Sequence, residues 1–286
     1  MRSSNPVFTR RGFSRDGGYA GFNAGPQPQT GTPYAGSPNN PYAQPGNPYA
    51  QPQVGPDGSM MPPGAPAGAG VMTIDSVVQR TAITLGTVVA TAAVAWIMDL
   101  PLGIGILCAL VGMGLALWQS FKREPSPALI LSYAAVEGVF LGVISNYINQ
   151  FAPGAAMQAV LGTMAVFAGV LFMYKQRIIR VNARFTKFVM AAAIGFVLLM
   201  AVNMIVALIG GGDGLGLRSG GLGILFGVIG IILGACFLAL DFKMVEDGVA
   251  YGAPEKEAWL AAFGLTLTLV WIYLEFLRLI AILQGD

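Results

Sequence analysis

The sequence contains no histidine. This absence excludes imidazole general bases, serine–histidine and cysteine–histidine nucleophile systems, and the commonest zinc ligand. Its two cysteines, Cys108 and Cys236, lie inside apolar segments, where they are typical of packing residues and not of a disulfide or a metal pair. We therefore expect a protein that is not an enzyme and that has no cofactor and no metal site.

Charged residues are also scarce. They make up 10% of the chain against 55% hydrophobic residues, and the net charge is +2. Soluble domains carry about 25% charged residues. The small net charge, and the lack of a basic stripe interleaved with aromatic residues, argue against nucleic-acid binding. The composition predicts a protein whose solvent is the lipid bilayer.

Seven apolar segments follow residue 72, and each has about the 17–25 residues that a helix needs to cross a bilayer. They span approximately residues 81–98, 102–118, 128–148, 155–174, 188–209, 222–240 and 259–283. We predict an all-α membrane protein, in which residues 73–286 form a bundle of seven transmembrane helices.

Residues 1–72 have a different composition, rich in Pro, Gly, Gln, Asn and Tyr, with the tripeptide PYA repeated at Pro33, Pro41 and Pro48. Such a tract cannot bury enough apolar area to offset the entropy lost on ordering. We therefore predict a disordered cytoplasmic tail. The functional alternative is a ligand for a partner that reads polyproline segments, or a contact with cell-envelope components.

Lysine and arginine are distributed unevenly between the connections. If the N-terminus is inside, all 16 of these residues except Arg218 and Arg278 lie in inside segments. An excess of positive charge marks the cytoplasmic side. We predict an inside N-terminus and an outside C-terminus.

A basic stretch, KQRIIRVNARFTK, occupies residues 175–187. It has two interpretations, a signal that fixes the topology or a loop that docks anionic lipid at about 1 kcal/mol per charge. The topology signal is the simpler of the two.

The sixth segment carries a stripe of glycines followed by a carboxylate. At 100° per residue all of these positions share one helix face, namely Gly223, Gly227, Gly230, Gly234 and Asp241. Small residues on one face allow a neighbouring helix to approach closely. We predict that Asp241 points into the bundle. Because the apolar run ends at Leu240, an interfacial Asp241 solvated by headgroups is the alternative.

A second carboxylate, Glu137, lies in the third segment beside Gly138 and Gly142. It is about nine residues, or roughly 13 Å, from the inner end of the span. An ionised, unpaired carboxylate is costly at that depth. Glu137 is therefore protonated, paired with a cation or hydrated by a cavity, and it serves either a helix contact or transport.

The seventh segment places Thr268, Trp271, Glu275 and Arg278 on one face through spacings of three, four and three residues. Glu275 and Arg278 are three residues apart, which is within pairing distance on a helix. We predict that they form an ion pair near the outer end of the span.

Three sequence motifs carry a resemblance to a known family. LALDFKMV around Asp241 and FLRLI around Arg278 resemble the last two spans of the Bax inhibitor family, the YccA-like transmembrane proteins, and VEGVFLGVIS around Glu137 is similar to its third span. The resemblance covers roughly residues 73–286 and leaves the Pro-rich tail unmatched. With that tail, the chain resembles the branch found in high-GC Gram-positive bacteria.

The resemblance implies a seven-helix bundle and, in several members, a pH-sensitive calcium leak governed by two aspartates that share a proton. Asp241 matches the sixth-helix aspartate, and Arg278 matches the arginine that closes the last helix. Thr268 stands where many members have the second aspartate. A hydroxyl cannot reproduce the coupled titration of two carboxylates. We hypothesise that Glu137 supplies the missing acid.

The sequence thus predicts a passive, pH-sensitive leak for calcium or other cations in the bacterial plasma membrane. Asp241, Glu137 and Thr268 are the candidate ion-path or pH-sensing residues, and calcium ions and protons are the candidate ligands. The alternative function is a non-conducting regulator that binds a membrane protease or envelope machinery. Other members of the resembled family are implicated in such regulation or in cell-death pathways.

Overall fold

The computed structural model describes residues 70–210, 214–217 and 219–285. This part of the chain forms seven helices and no strand. They are α1 (Ile74–Ile97), α2 (Leu102–Phe121), α3 (Pro127–Asn149), α4 (Ala155–Lys175), α5 (Ala183–Gly210), α6 (Gly220–Ala250) and α7 (Glu257–Gly285). All seven are long and apolar enough to cross a membrane. The predicted seven-helix membrane fold is confirmed.

Some predictions lie beyond what these residues test. Of the tail predicted for residues 1–72, residues 1–69 lie outside the described residues, and so does Arg218. Which end of the bundle faces the cytoplasm stays a prediction from the lysine and arginine distribution.

Local sequence explains where several helices begin. The hydroxyl of Thr73 accepts a hydrogen bond from the backbone N–H of Ser76, and the Ser76 hydroxyl accepts one from the N–H of Thr73, which forms a capping box before α1. Pro127 occupies the first turn of α3, where its missing N–H costs nothing. Gly154 precedes α4 in the left-handed conformation, at φ 81°.

The end of α6 differs from the apolar pattern. The apolar run stops at Leu240, but the helix continues to Ala250. Beyond the run, Lys243 pairs with Asp247 at 2.7 Å and with Glu246 at 3.8 Å, so charged residues at i, i+3 and i+4 prolong the helix. Asp241 therefore lies inside α6 and not at its end.

Helices α3 and α7 form the centre of the bundle. Helix α3 packs against α1, α2, α4 and α7, whereas α7 packs against α1, α3, α4 and α6. Helix α2 lies beside α3, and α5 lies beside α6. Phe196 of α5 also contacts Trp271 of α7, with 5.7 Å between the ring centroids. The peripheral helices α2 and α5 expose large apolar side chains such as Phe121 and Leu208. In a bilayer such surfaces face lipid without cost.

Helices α1 and α3 approach each other closely. A Cβ atom built on Gly142 would collide with the carbonyl oxygen of Ala92 and lie 2.9 Å from the Cβ of Ala95. One built on Gly138 would collide with the carbonyl oxygen of Val88. Only glycine fits at both positions, because backbone atoms of α1 fill the space where a side chain would be.

The segment before α1 is tied to the loop between α6 and α7. The N–H of Met72 donates to the carbonyl of Ala253 at 2.8 Å, and the N–H of Glu255 donates to the carbonyl of Gly70 at 2.7 Å. Arg80 donates to the carboxylate of Glu255 at 2.5 Å. We call residues 70–72 the N-terminal strap. It joins the first helix of the bundle to the last two.

Replacing Met72 with alanine is expected to destabilise the bundle by about 2–5 kcal/mol, the usual cost of removing a buried methionine side chain. Met72 is 3% exposed and packs in the cluster that contains Val77 and Ala258. Thermal unfolding of the purified protein in detergent measures the loss. Ile74→Ala is the control, because Ile74 is 60% exposed. Equal stability of the two variants would contradict the proposed role of the strap.

Candidate functional site

Helices α6 and α7 pack antiparallel along the glycine stripe. A Cβ atom on Gly230 would lie 2.8 Å from the carboxyl carbon of Glu275, and one on Gly234 would lie 2.6 Å from a side-chain carbon of Ile272. The indole N–H of Trp271 donates to the carbonyl of Gly230 at 3.2 Å. The stripe therefore brings the backbone of α6 into contact with the large side chains of α7.

Gly227 and Gly223 lie on the same face, and both are buried. A Cβ atom on Gly227 would lie 3.3 Å from Leu279 and 3.5 Å from the guanidinium of Arg278. Towards the outer end of the predicted topology, the two helices thus remain close enough for α6 to contact a charged side chain of α7.

Asp241 continues this interface. Its carboxylate accepts a hydrogen bond from the hydroxyl of Thr268 at 2.6 Å. Its other oxygen lies 3.4 Å from where a Cβ atom on Gly264 would stand. In the part of the chain that the structure describes, no cation pairs with this carboxylate. The structure therefore brings Asp241 and Thr268 together, and the partner of the acid is a neutral hydroxyl.

Glu137 occupies a different interface. It is 8% exposed, and a Cβ atom built on Gly112 of α2 would lie 2.8 Å from its Oε2 atom. Among residues 70–210, 214–217 and 219–285, Glu137 has neither a hydrogen-bond partner nor an ion-pair partner. A buried carboxylate in this situation is stabilised by gaining a proton or a cation.

The two acids lie on helices that do not pack against each other. Helix α3 packs against α1, α2, α4 and α7, and within the described residues its backbone does not come close to that of α6. The structure therefore places Thr268 next to Asp241 but does not place Glu137 there. The hypothesis that Glu137 supplies the second acid stays a prediction.

Glu275 and Arg278 form an ion pair one helical turn apart on α7. Their side chains are 10% and 14% exposed, and they lie beside Gly230 and Gly227 of α6. A buried ion pair costs desolvation energy, and removing one partner leaves the other as an isolated buried charge. The pair therefore lies within the interface between α7 and α6.

One polar link in the centre of the bundle was not predicted from the sequence. The hydroxyl groups of Ser145 on α3 and Tyr273 on α7 lie 2.6 Å apart. The signal that could have found this link is a buried serine and a tyrosine inside apolar segments, because polar side chains in a bilayer hydrogen-bond across helices.

The described residues contain no group of three or more Cys, Asp and Glu side chains that could hold a metal ion. The groups that could contact a cation are the separate carboxylates of Asp241 and Glu137, and the hydroxyl of Thr268 lies beside the first of them.

Seven apolar helices that enclose isolated carboxylates define a polytopic integral membrane protein with ionisable groups inside its bundle. The family model described as Bax inhibitor 1 like matches residues 5–285, so the chain belongs to the Bax inhibitor 1 like family. The match starts before residue 73, and so it includes most of the Pro-rich tail that the resemblance had left out. A search of curated proteins found no match.

Proposed function

We propose that the protein is a passive, pH-sensitive leak for calcium or related cations in the bacterial plasma membrane. The observation that carries the proposal is the Asp241 carboxylate, which lies between α6 and α7 with a threonine hydroxyl as its hydrogen-bond partner at 2.6 Å. A carboxylate that is kept in a helix bundle without a countercharge marks an ion or proton path in membrane proteins. In this proposal Asp241 is the gate or ion-contact residue.

The neutral partner supports this role. A salt bridge would hold a carboxylate in its ionised form and leave it little affinity for another cation. The Thr268 hydroxyl donates one hydrogen bond and leaves the negative charge uncompensated. Protons and calcium ions then compete for the same carboxylate. We infer that this competition makes the leak sensitive to pH.

Calcium-loaded liposomes test this function. We expect the purified full-length protein to release calcium faster than protein-free liposomes, at a rate that changes with pH and saturates with calcium. Release that equals that of protein-free liposomes at every pH would contradict the leak and favour the alternative, a non-conducting regulator of a membrane protease or envelope machinery. Three exposed cations favour this alternative as a docking surface, namely Lys175 at the end of α4 and Arg177 and Arg180 in the connection to α5.

Replacing Thr268 with aspartate is expected to raise the pH midpoint of calcium flux by about one to three units. The hydroxyl of Thr268 lies 2.6 Å from the carboxylate of Asp241, so the new carboxylate would lie within hydrogen-bonding reach of the old one. Two carboxylates at such a short distance cannot both be ionised. They therefore share one proton. Calcium flux measured over roughly pH 5 to pH 9, the range in which such pairs titrate, gives the midpoint.

Thr268→Asn is the matched control for this variant, because asparagine has the shape of aspartate and no charge. A shift of the same size with asparagine would show that side-chain shape, and not a shared proton, causes the change. If the aspartate variant had the same pH profile of calcium flux as the wild type, Asp241 would not determine the pH response.

A further inference from the structure

A cavity of about 590 Å³ opens where α4 ends beside α6. This volume lies within the roughly 300–1,000 Å³ of small-molecule sites. Its polar lining consists of Tyr174, Lys175, Arg177, Arg180, Lys243 and Glu246. Four of these six side chains are cationic, so the cavity suits an anion.

Most of this positive charge is uncompensated. Lys243 pairs with Asp247 at 2.7 Å and with Glu246 at 3.8 Å. In contrast, Lys175, Arg177 and Arg180 make no ion pair with any other residue that the structure describes. Three cations with free hydrogen-bond donors therefore converge on one space. Arginine is well suited to such a site because its planar fork binds phosphate oxygens in pairs.

The backbone conformation of Arg177 also supports an anion-binding role for its side chain. Its φ of 57° lies in the left-handed region, at the position after a helix where glycine is usual. The turn is closed by hydrogen bonds from the N–H groups of Arg177 and Ile178 to the carbonyls of Tyr174 and Met173, both at 2.9 Å. A turn of this kind is more stable with glycine. The arginine side chain therefore serves something other than the turn.

The surroundings of the cavity are apolar. Ile179 and Val181 complete the lining of the cavity, and Phe172 on the last turn of α4 and Ile178 in the connection are 60% and 65% exposed. On a helix bundle of this class such side chains face acyl chains. The cavity therefore lies at the membrane surface, where charged headgroups meet the hydrocarbon region.

We propose that this cavity binds the phosphate-bearing headgroup of an anionic phospholipid. Arg177 and Arg180 donate to the phosphate oxygens, Lys175 adds charge, and the acyl chains lie against Phe172 and Ile178. A soluble phosphate shares the headgroup's charge but lacks the acyl chains. The proposal is independent of ion conduction, and a protein that conducts nothing would still bind this lipid.

Lipid binding to the purified full-length protein in detergent tests the proposal. The probes are dioctanoyl phosphatidylglycerol, dioctanoyl phosphatidylcholine and inorganic phosphate, and the readout is the rise of the thermal unfolding midpoint with probe concentration. We expect a saturable rise with phosphatidylglycerol and none with the other two. An equal rise with phosphatidylcholine would overturn the proposal, and so would an equal rise with inorganic phosphate, which would indicate a site for soluble anions.

Two variants separate this site from general surface charge. Arg177→Gly suits the left-handed turn, so the lipid-free protein should be at least as stable as the wild type, while affinity for phosphatidylglycerol falls about fivefold. Adding Arg180→Gln should lower the affinity for phosphatidylglycerol to about 25-fold below that of the wild type. Arg184→Gln and Lys187→Gln are controls from the same basic stretch that do not line the cavity. Equal losses in the controls would overturn the proposal.

Discussion

Calcium flux through liposomes is expected to fall about 10- to 100-fold when Asp241 is replaced by asparagine, because a charged hydrogen-bonding group contributes about 1.5–3 kcal/mol to binding. Asparagine keeps the shape of the side chain and an oxygen that accepts the hydrogen bond from Thr268. The bundle should therefore fold as before. What the substitution removes is the negative charge that a cation contacts and a proton neutralises.

The Asp241→Asn variant should also lose the pH response of whatever flux remains. Asp75→Asn is the matched control, since Asp75 is an exposed carboxylate in the first turn of α1. Wild-type flux is expected from this control at every pH. A variant at Asp241 that conducts as well as the wild type would contradict the assignment of Asp241 to the ion path.

Glu137→Gln tests the separate hypothesis about the second acid. If Glu137 lines the same path, its amide variant should lower flux in the same assay. Its carboxylate lies against Gly112 of α2, on an interface that α6 does not share. Normal flux in this variant would assign Glu137 to the packing of α2 on α3 and leave the role of Asp241 intact.

Replacing Gly142 with alanine is expected to destabilise the bundle by about 1–3 kcal/mol, although alanine is the better helix former. The added methyl group would collide with the backbone carbonyl of Ala92 and with the side chain of Ala95. A backbone atom cannot rotate away as a side chain can. Helices α1 and α3 must therefore move apart, and Gly138→Ala should have a similar effect because its methyl group meets the carbonyl of Val88.

Gly169→Ala and Gly195→Ala are the matched controls for this prediction. Both glycines lie inside helices, and a Cβ atom at either position would have no neighbour within 4 Å. Their replacement should be neutral or stabilise the protein by about 0.4–1 kcal/mol. Thermal unfolding in one detergent compares all four variants. Unaltered stability of Gly142→Ala would mean that α1 and α3 do not pack as closely as described.

The same local patterns that predicted the spans did not predict every helix end: α1 begins at Ile74, before the predicted span 81–98, and α6 continues beyond Leu240. Hydropathy falls where charged residues begin, so the pattern ended the sixth span at Leu240. The helix nevertheless continues to Ala250, and Lys243 and Asp247 pair along its surface. Hydropathy reports the solvent around a helix, whereas backbone hydrogen bonding decides where the helix stops.

The sequence by itself determined the class of the protein and its local pairs. Seven spans follow from seven apolar segments, and the Glu275–Arg278 pair follows from a spacing of three residues, because hydropathy and i, i+3 neighbours are properties of one helix. The glycine stripe likewise identified the face of α6 that a neighbour covers. None of these inferences depends on which helix the neighbour is.

Only the tertiary structure decided which residues meet across helices. It placed Thr268 against Asp241, Gly112 against Glu137 and the backbone of α1 against Gly142. It also gathered Lys175, Arg177 and Arg180 around a cavity. Helical periodicity shows which side of a helix is buried but not what buries it, because the order in which seven helices pack depends on contacts between residues far apart in the chain.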